Sequence, residues 1–194
     1  MKLKNEYDIL RLIEADKWMM SILHNVNMLK LPDWWICAGF VRSKIWDALH
    51  GYTERTPLAD VDVVYFDPED TEEVTEKQLE QRLHRLDPTI PWSVKNEARM
   101  HKVNNNSPYA STVDAISKFP ETATALGVTL DDRNNLILAA PCGIADVLTM
   151  TVRPTPFFAA SPEDLVYYER RIAAKAWHRT WKQVTYAADA GRYM

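Results

Sequence analysis

Apolar residues in the stretch 6–30 recur at alternating three- and four-residue spacing, through Leu12, Ala15, Met19, Ile22 and Val26, while Glu14, Asp16, Lys17 and Asn25 fall off that stripe. This is the period of an amphipathic helix, and Pro32 follows to stop it. A short apolar run at 34–38 ends at Gly39. Residues 42–50 have helical composition, and Gly51 is placed to close them as a left-handed cap. The next apolar run, 58–66, alternates as a strand and carries Asp60 and Asp62 one residue apart.

The acid-rich start of 69–86, with Arg82, His84 and Arg85 at its end, suits the dipole of a helix that Asp87-Pro88 breaks. Residues 92–101 alternate as a strand, with Trp92, Val94, Asn96 and Ala98 on one side and Ser93, Lys95, Glu97 and Arg99 on the other. Residues 111–126 read as helical with an interruption at Pro120. Strands are expected at 136–140 and at 144–152, the second carrying Asp146 inside an apolar run. Ser161-Pro162-Glu163-Asp164 opens a last helix with an N-cap Ser, Pro at the first helical position and an acid two residues later. That helix is expected to reach about residue 188. No repeat or low-complexity tract divides the chain, so the pattern predicts one domain over 1–194, with helical ends 6–30 and 162–188 packed on a core at 34–156.

Composition narrows the class. With 194 residues, 46% hydrophobic, 26% charged and only 5 Gly, the chain reads as a soluble globular protein rich in helix. The net charge of −4 provides no global positive field, so strong general binding to nucleic acid is not expected. Cys37 and Cys142 sit in apolar surroundings and read as buried thiols of a reducing compartment, not as a disulfide or zinc site. The first residues contain no apolar signal core, and no uncharged run reaches the roughly 18 residues of a membrane span. A cytoplasmic protein with no membrane partner is the expectation.

The chemistry centres on Asp60 and Asp62. In a strand, residues i and i+2 point to one face, so the two carboxylates converge and repel unless a cation sits between them. Hard oxygen donors of this kind favour Mg²⁺ or Mn²⁺. Upstream, Gly39 ends a short apolar run, and Arg42 and Ser43 lie at the start of the following helix. The basic residues Arg171, Lys175, His178, Arg179 and Lys182 recur at helical spacing and read first as a solvated helix face, with a polyanion site as the sharper alternative. The seven tryptophans read mainly as core.

The runs Ala38-Gly39-Phe40-Val41-Arg42-Ser43-Lys44-Ile45-Trp46-Asp47, Asn96-Glu97-Ala98-Arg99-Met100-His101, Glu121-Thr122-Ala123-Thr124 and Gly143-Ile144-Ala145-Asp146, together with Asp60-Val61-Asp62, resemble bacterial nucleotidyltransferase-family proteins of unassigned substrate, within the DNA polymerase beta superfamily. The resemblance implies an α+β fold, a mixed sheet with helices on one side plus the terminal helices. It implies transfer of a nucleoside monophosphate from an NTP, ATP among them, to an acceptor that is a small molecule, a protein or RNA, with pyrophosphate released. Asp60, Asp62 and Glu97 would then be catalytic and hold Mg²⁺ or Mn²⁺, with Asp146 as the alternative third acid. Gly39, Arg42 and Ser43 would bind the nucleotide. A non-catalytic nucleotide-binding or interaction protein that retains the fold is the alternative of a different class. A metal-dependent nuclease is a weaker one, because it leaves the Gly39/Arg42 turn without a role.

Overall fold

The stretch expected to form one N-terminal helix forms two in the computed structural model, which describes residues 3–187. Helix α1 (Glu6–Glu14) begins with a reciprocal cap, Asn5 accepting the Asp8 N–H and Asp8 accepting the Lys4 N–H at 2.8 Å. Helix α2 (Lys17–Asn27) starts afresh because Asp16 turns its carboxylate onto the N–H groups of Trp18 and Met19. Lys44 at 2.7 Å and Arg55 at 2.8 Å fix that carboxylate from other parts of the chain. The apolar stripe survives the break, since Leu12, Met19, Ile22 and Val26 are all buried.

Strand β1 (Trp35–Cys37) and helix α3 (Gly39–His50) follow, and Gly51 closes α3 at φ 68° as its composition led us to expect. Strand β2 is Val61–Tyr65, so Asp62 lies in it and Asp60 just before it. After helix α4 (Glu73–Leu86) comes strand β3 (Trp92–Asn96). The strand expected to run to 101 stops there. The Asn96 side chain accepts the N–H groups of Ala98 and Asp67 and starts helix α5 (Glu97–Val103), which moves Glu97 from a strand to a helix N-terminus.

The helical reading of 111–126 holds only for α6 (Thr112–Ser117). Beyond Pro120 the chain makes a β-bridge from Glu121 to Pro154 and then strand β4 (Gly127–Leu130), which was not foreseen. Gly127 permits that strand to pass: a Cβ there would lie 3.1 Å from both Cys37 Sγ and Ile116 Cδ1. Strand β5 (Leu136–Ala139) matches its reading, but 144–152 holds helix α7 (Ala145–Thr149) before the short β6 (Thr151–Val152). Asp146 is bonded to Thr122 Oγ1 at 2.6 Å and to Arg153 at 2.7 Å, contacts made across the fold that override the apolar run. Helix α8 (Pro156–Ala159) precedes α9 (Pro162–Lys175), which Ser161 caps as expected. Helix α9 ends well before residue 188, because Ala176 takes a left-handed φ of 42°. A 3₁₀ turn at Trp177–Arg179 and β7 (Thr185–Tyr186) follow, and residue 188 itself lies outside the described residues.

Among the described residues, the main sheet has the order β3-β2-β1-β4-β5, mixed because β2 and β3 are parallel and the other neighbours antiparallel. The core runs from α1 and α2 through α3 and the sheet to Tyr168 of α9 and the tryptophans that follow it. No helix among the described residues is long and apolar enough to cross a membrane.

Candidate active site

Two pairings of β2 build the site. On the antiparallel side Cys37 faces Asp62, which sets the β1–α3 turn and Gly39 beside the acid pair. On the parallel side Ser93 faces Asp62, and β3 then leads directly to Glu97. The turn itself is unusual: Ala38 adopts φ 54° and ψ −115°, a conformation rare for a residue with a Cβ, and no side chain caps the N-terminus of α3. The free N–H groups of that helix start are therefore available to an anion. Gly39 is not imposed by crowding, since a Cβ there would meet only ordinary contacts, Arg42 Nη2 at 3.7 Å and Leu58 Cδ2 at 3.9 Å.

Two cavities meet at Asp62. One, of about 420 Å³, is lined by Gly39, Arg42, Ser43, Asp60, Asp62 and the α9 pair Arg171 and Lys175. The other, of about 500 Å³, is lined by Asp62, Lys95, Glu97 and the rings of Tyr109, Phe157 and Tyr167. Ala38 and Arg171 also belong to both. The structure thus gathers Asp60, Asp62, Gly39, Arg42 and Ser43 around one cavity, and Glu97 joins Asp62 from the other.

The electrostatics are those of an unsatisfied acidic site. Burial, then the nearby charge of Asp60, push the Asp62 carboxyl up to about 6, against the opposing pull of the Ser93 hydroxyl, Arg171 and Lys175. Glu97 is buried, and its carboxyl has no hydrogen-bond partner among the described residues. Burial first, then Glu76 and Asp62, push its carboxyl up to about 8. The Cys37 thiol is raised by its burial and by the charges of Asp62 and Glu97. Among the described residues no three His, Cys, Asp or Glu side chains form a metal-holding group. Two carboxylates remain a sufficient protein contribution for Mg²⁺, which commonly takes one or two of them together with substrate phosphates and keeps several waters. The repulsion between Asp60 and Asp62 is what such a cation relieves. Asp146 stays out of both cavities, bonded to Thr122 and Arg153.

Arg171 and Lys175 are the residues that sequence reasoning placed elsewhere. They line the cavity that holds Asp60 and Asp62 instead of forming a solvated stripe, and the stripe does not continue, because α9 ends at Lys175. Their spacing of four residues was the available signal; which face α9 turns inward was not.

A family model described as nucleotidyltransferase matches residues 24–186. The chain belongs to the nucleotidyltransferase family. Among solved structures, this nucleotidyltransferase resembles a protein whose NMR structure reveals a CCA-adding enzyme head domain, with 34% identity, a TM-score of 0.86, and 95% of this chain and 97% of that chain covered. It also matches a Thermotoga maritima CCA-adding enzyme complexed with tRNA (14% identity, TM-score 0.57) and a CCA-adding enzyme with CTP (11% identity, TM-score 0.59). In each of these two, 97% of this chain aligns with only 44% of the other, and the likeness is one of fold. No curated protein matches the chain.

Proposed function

We propose that the protein transfers a nucleoside monophosphate from an NTP to an acceptor oxygen with release of pyrophosphate, assisted by Mg²⁺ or Mn²⁺. The observation that carries this reading is the single cavity in which Asp60 and Asp62 face Gly39, Arg42 and Ser43 at an uncapped helix start. Gly39 and the α3 N–H groups take the triphosphate, with Arg42, Ser43 and Lys175 contacting it, while Arg171 lines the same cavity paired to Glu121. Asp60 and Asp62 hold the cation, and Glu97 is the third acid that supports the pair from the adjoining cavity. A divalent cation bound there supplies charge neutralisation and activation of the acceptor oxygen. The chain's own residues orient the donor, since phosphoryl-type transfer depends mainly on positioning and electrostatics. The acceptor enters by the cavity of about 500 Å³, on the Glu97 side of Asp62. Likeness to a CCA-adding enzyme head domain, and in fold to a CCA-adding enzyme complexed with tRNA, makes RNA the first acceptor to try, followed by small molecules and proteins.

Calorimetry with Mg²⁺ and each NTP, on the wild type and on Asp60→Ala/Asp62→Ala, tests the reading. Binding by the wild type that the double variant loses supports it; no binding by the wild type sinks it. Binding without pyrophosphate release across the three acceptor classes favours the non-catalytic nucleotide-binding protein instead.

A further inference from the structure

Arg42 is treated unlike the partly buried arginines Arg99 and Arg171, each of which pairs with a carboxylate, Glu76 and Glu121 respectively. Arg42 is as hidden as a core residue, yet among the described residues no carboxylate lies within ion-pair distance of it. Its guanidinium carbon lies 5.1 Å from the ring centre of Trp46, 4.7 Å from that of Trp177 and 5.3 Å from that of Trp181. Its Nη2 donates to Ser43 Oγ at 3.0 Å, and its Nε is buried with no partner. Aromatic faces attract a cation without cancelling its charge, as a carboxylate would.

Two of the three rings come from the segment after α9, and that segment is tied to α3 and the loop behind it. Trp181 Nε1 donates to Asp47 Oδ1 at 2.8 Å, and Tyr52 Oη donates to the Thr180 carbonyl at 2.6 Å. Asp47 also takes the Thr56 hydroxyl at 2.6 Å and backbone N–H at 2.9 Å. The rings are thereby fixed, and both they and Arg42 line the cavity that holds Asp60 and Asp62.

We propose that Trp177 and Trp181 are positioning residues: they hold Arg42 as an uncommitted cation at the floor of the phosphate cavity, so that its charge meets the triphosphate of the donor. This rests on the nucleotide reading above. It assigns a task to two tryptophans that have no counterpart in the Gly39–Ser43 stretch and that pack on it from the far end of the chain.

Inorganic tripolyphosphate is the probe, measured by calorimetry on the full chain with Mg²⁺. Trp177→Leu weakens its binding about fivefold or more, on the scale of a desolvated cation–π contact. Trp177→Phe, which keeps a ring over the guanidinium, loses less. In an Arg42→Met background neither substitution has a further effect, a coupling that general loosening of the fold would not produce. Wild-type affinity in a folded Trp177→Leu protein, or a loss that persists undiminished with Arg42→Met, overturns the proposal while leaving the nucleotide reading standing. If Trp177→Leu does not fold, the Trp177→Phe cycle decides by the same criterion. A wild type that binds neither tripolyphosphate nor any NTP overturns both.

Discussion

Glu76 and Glu97 are both buried acids near the end of β3, and the fold treats them in opposite ways. Glu76 is fully enclosed and fully answered: Arg99 donates from Nε at 2.9 Å and Nη2 at 2.8 Å, and the Asn96 N–H donates at 2.9 Å. Glu97 has no such donors among the described residues, and its carboxyl is driven toward the neutral form by burial. Arg99 and Arg42 repeat the contrast among cations, one clamped to a carboxylate and the other held between indole faces. Charges answered inside the fold are scaffolding. Charges left unanswered are concentrated around Asp62, where a ligand can answer them.

The largest expected effect breaks the answered member. Glu76→Ala strands the Arg99 charge and the Asn96 N–H and costs about 3–5 kcal/mol, as for removal of one partner from a buried ion pair, read from urea denaturation. By contrast Asp62→Asn leaves stability at pH 7 equal or higher, because the variant no longer has to bury a charge. It lowers nucleotidyl transfer by on the order of 10²–10³-fold, the scale of losing one electrostatic contact to the transition state, as followed by pyrophosphate release. An Asp62→Asn protein that unfolds as readily as Glu76→Ala would erase the distinction.

Glu97 sharpens the comparison through pH. Its folded value of about 8 lies above the roughly 4.3 of an unfolded glutamate, so the native state binds the extra proton between these limits. The Glu97 contribution to the stability of the metal-free protein therefore falls as pH rises from about 4.3 to 8 and is level above that. Glu97→Gln, neutral throughout, melts several degrees above the wild type at pH 9 and close to it at pH 4, at about 2–4 °C per kcal/mol for a chain of this size. Asp62 gives the matching result for the cation. Mg²⁺ affinity falls as pH is lowered through about 6, because protons then compete for that carboxylate. The smallest effect is at the rim of the answered network. Lys95 stands 3.6 Å from Glu76 and is partly exposed, so Lys95→Ala changes stability by no more than about 1 kcal/mol.

Several placements were legible in the chain because their signals are local. Asp60 and Asp62 lie one residue apart at the start of β2 and line one cavity, Gly51 closes α3, and Ser161 caps α9, each within a few residues of its cause. Readings failed where a cap competed with the periodicity or where distant partners intervened. Asp16 and Asn96 cap N–H groups two or three residues on, breaking a helix at 15–16 and ending a strand at 96, while Asp146 turns onto Thr122 and Arg153 where α7 replaces the expected strand. Strand β4 was missed because its place depends on Gly127 sliding past Cys37 and Ile116, contacts invisible to periodicity.

The amino-acid sequence by itself determined the spacing of the acid pair, the glycine turn with its arginine and serine, and the caps at Gly51 and Ser161, since these act between near neighbours, and its resemblance to a family implied the α+β class. Only the tertiary structure decided which charges remain unanswered. It brought Arg171, Lys175, Trp177 and Trp181 from the far end of the chain onto the cavity that holds Asp60 and Asp62, bonded Asp146 elsewhere, and placed Glu97 on a cavity that Asp62 also lines. Burial and pairing are properties of neighbours in space, and those neighbours come from β-strand register and the inward face of α9, which no local stretch encodes.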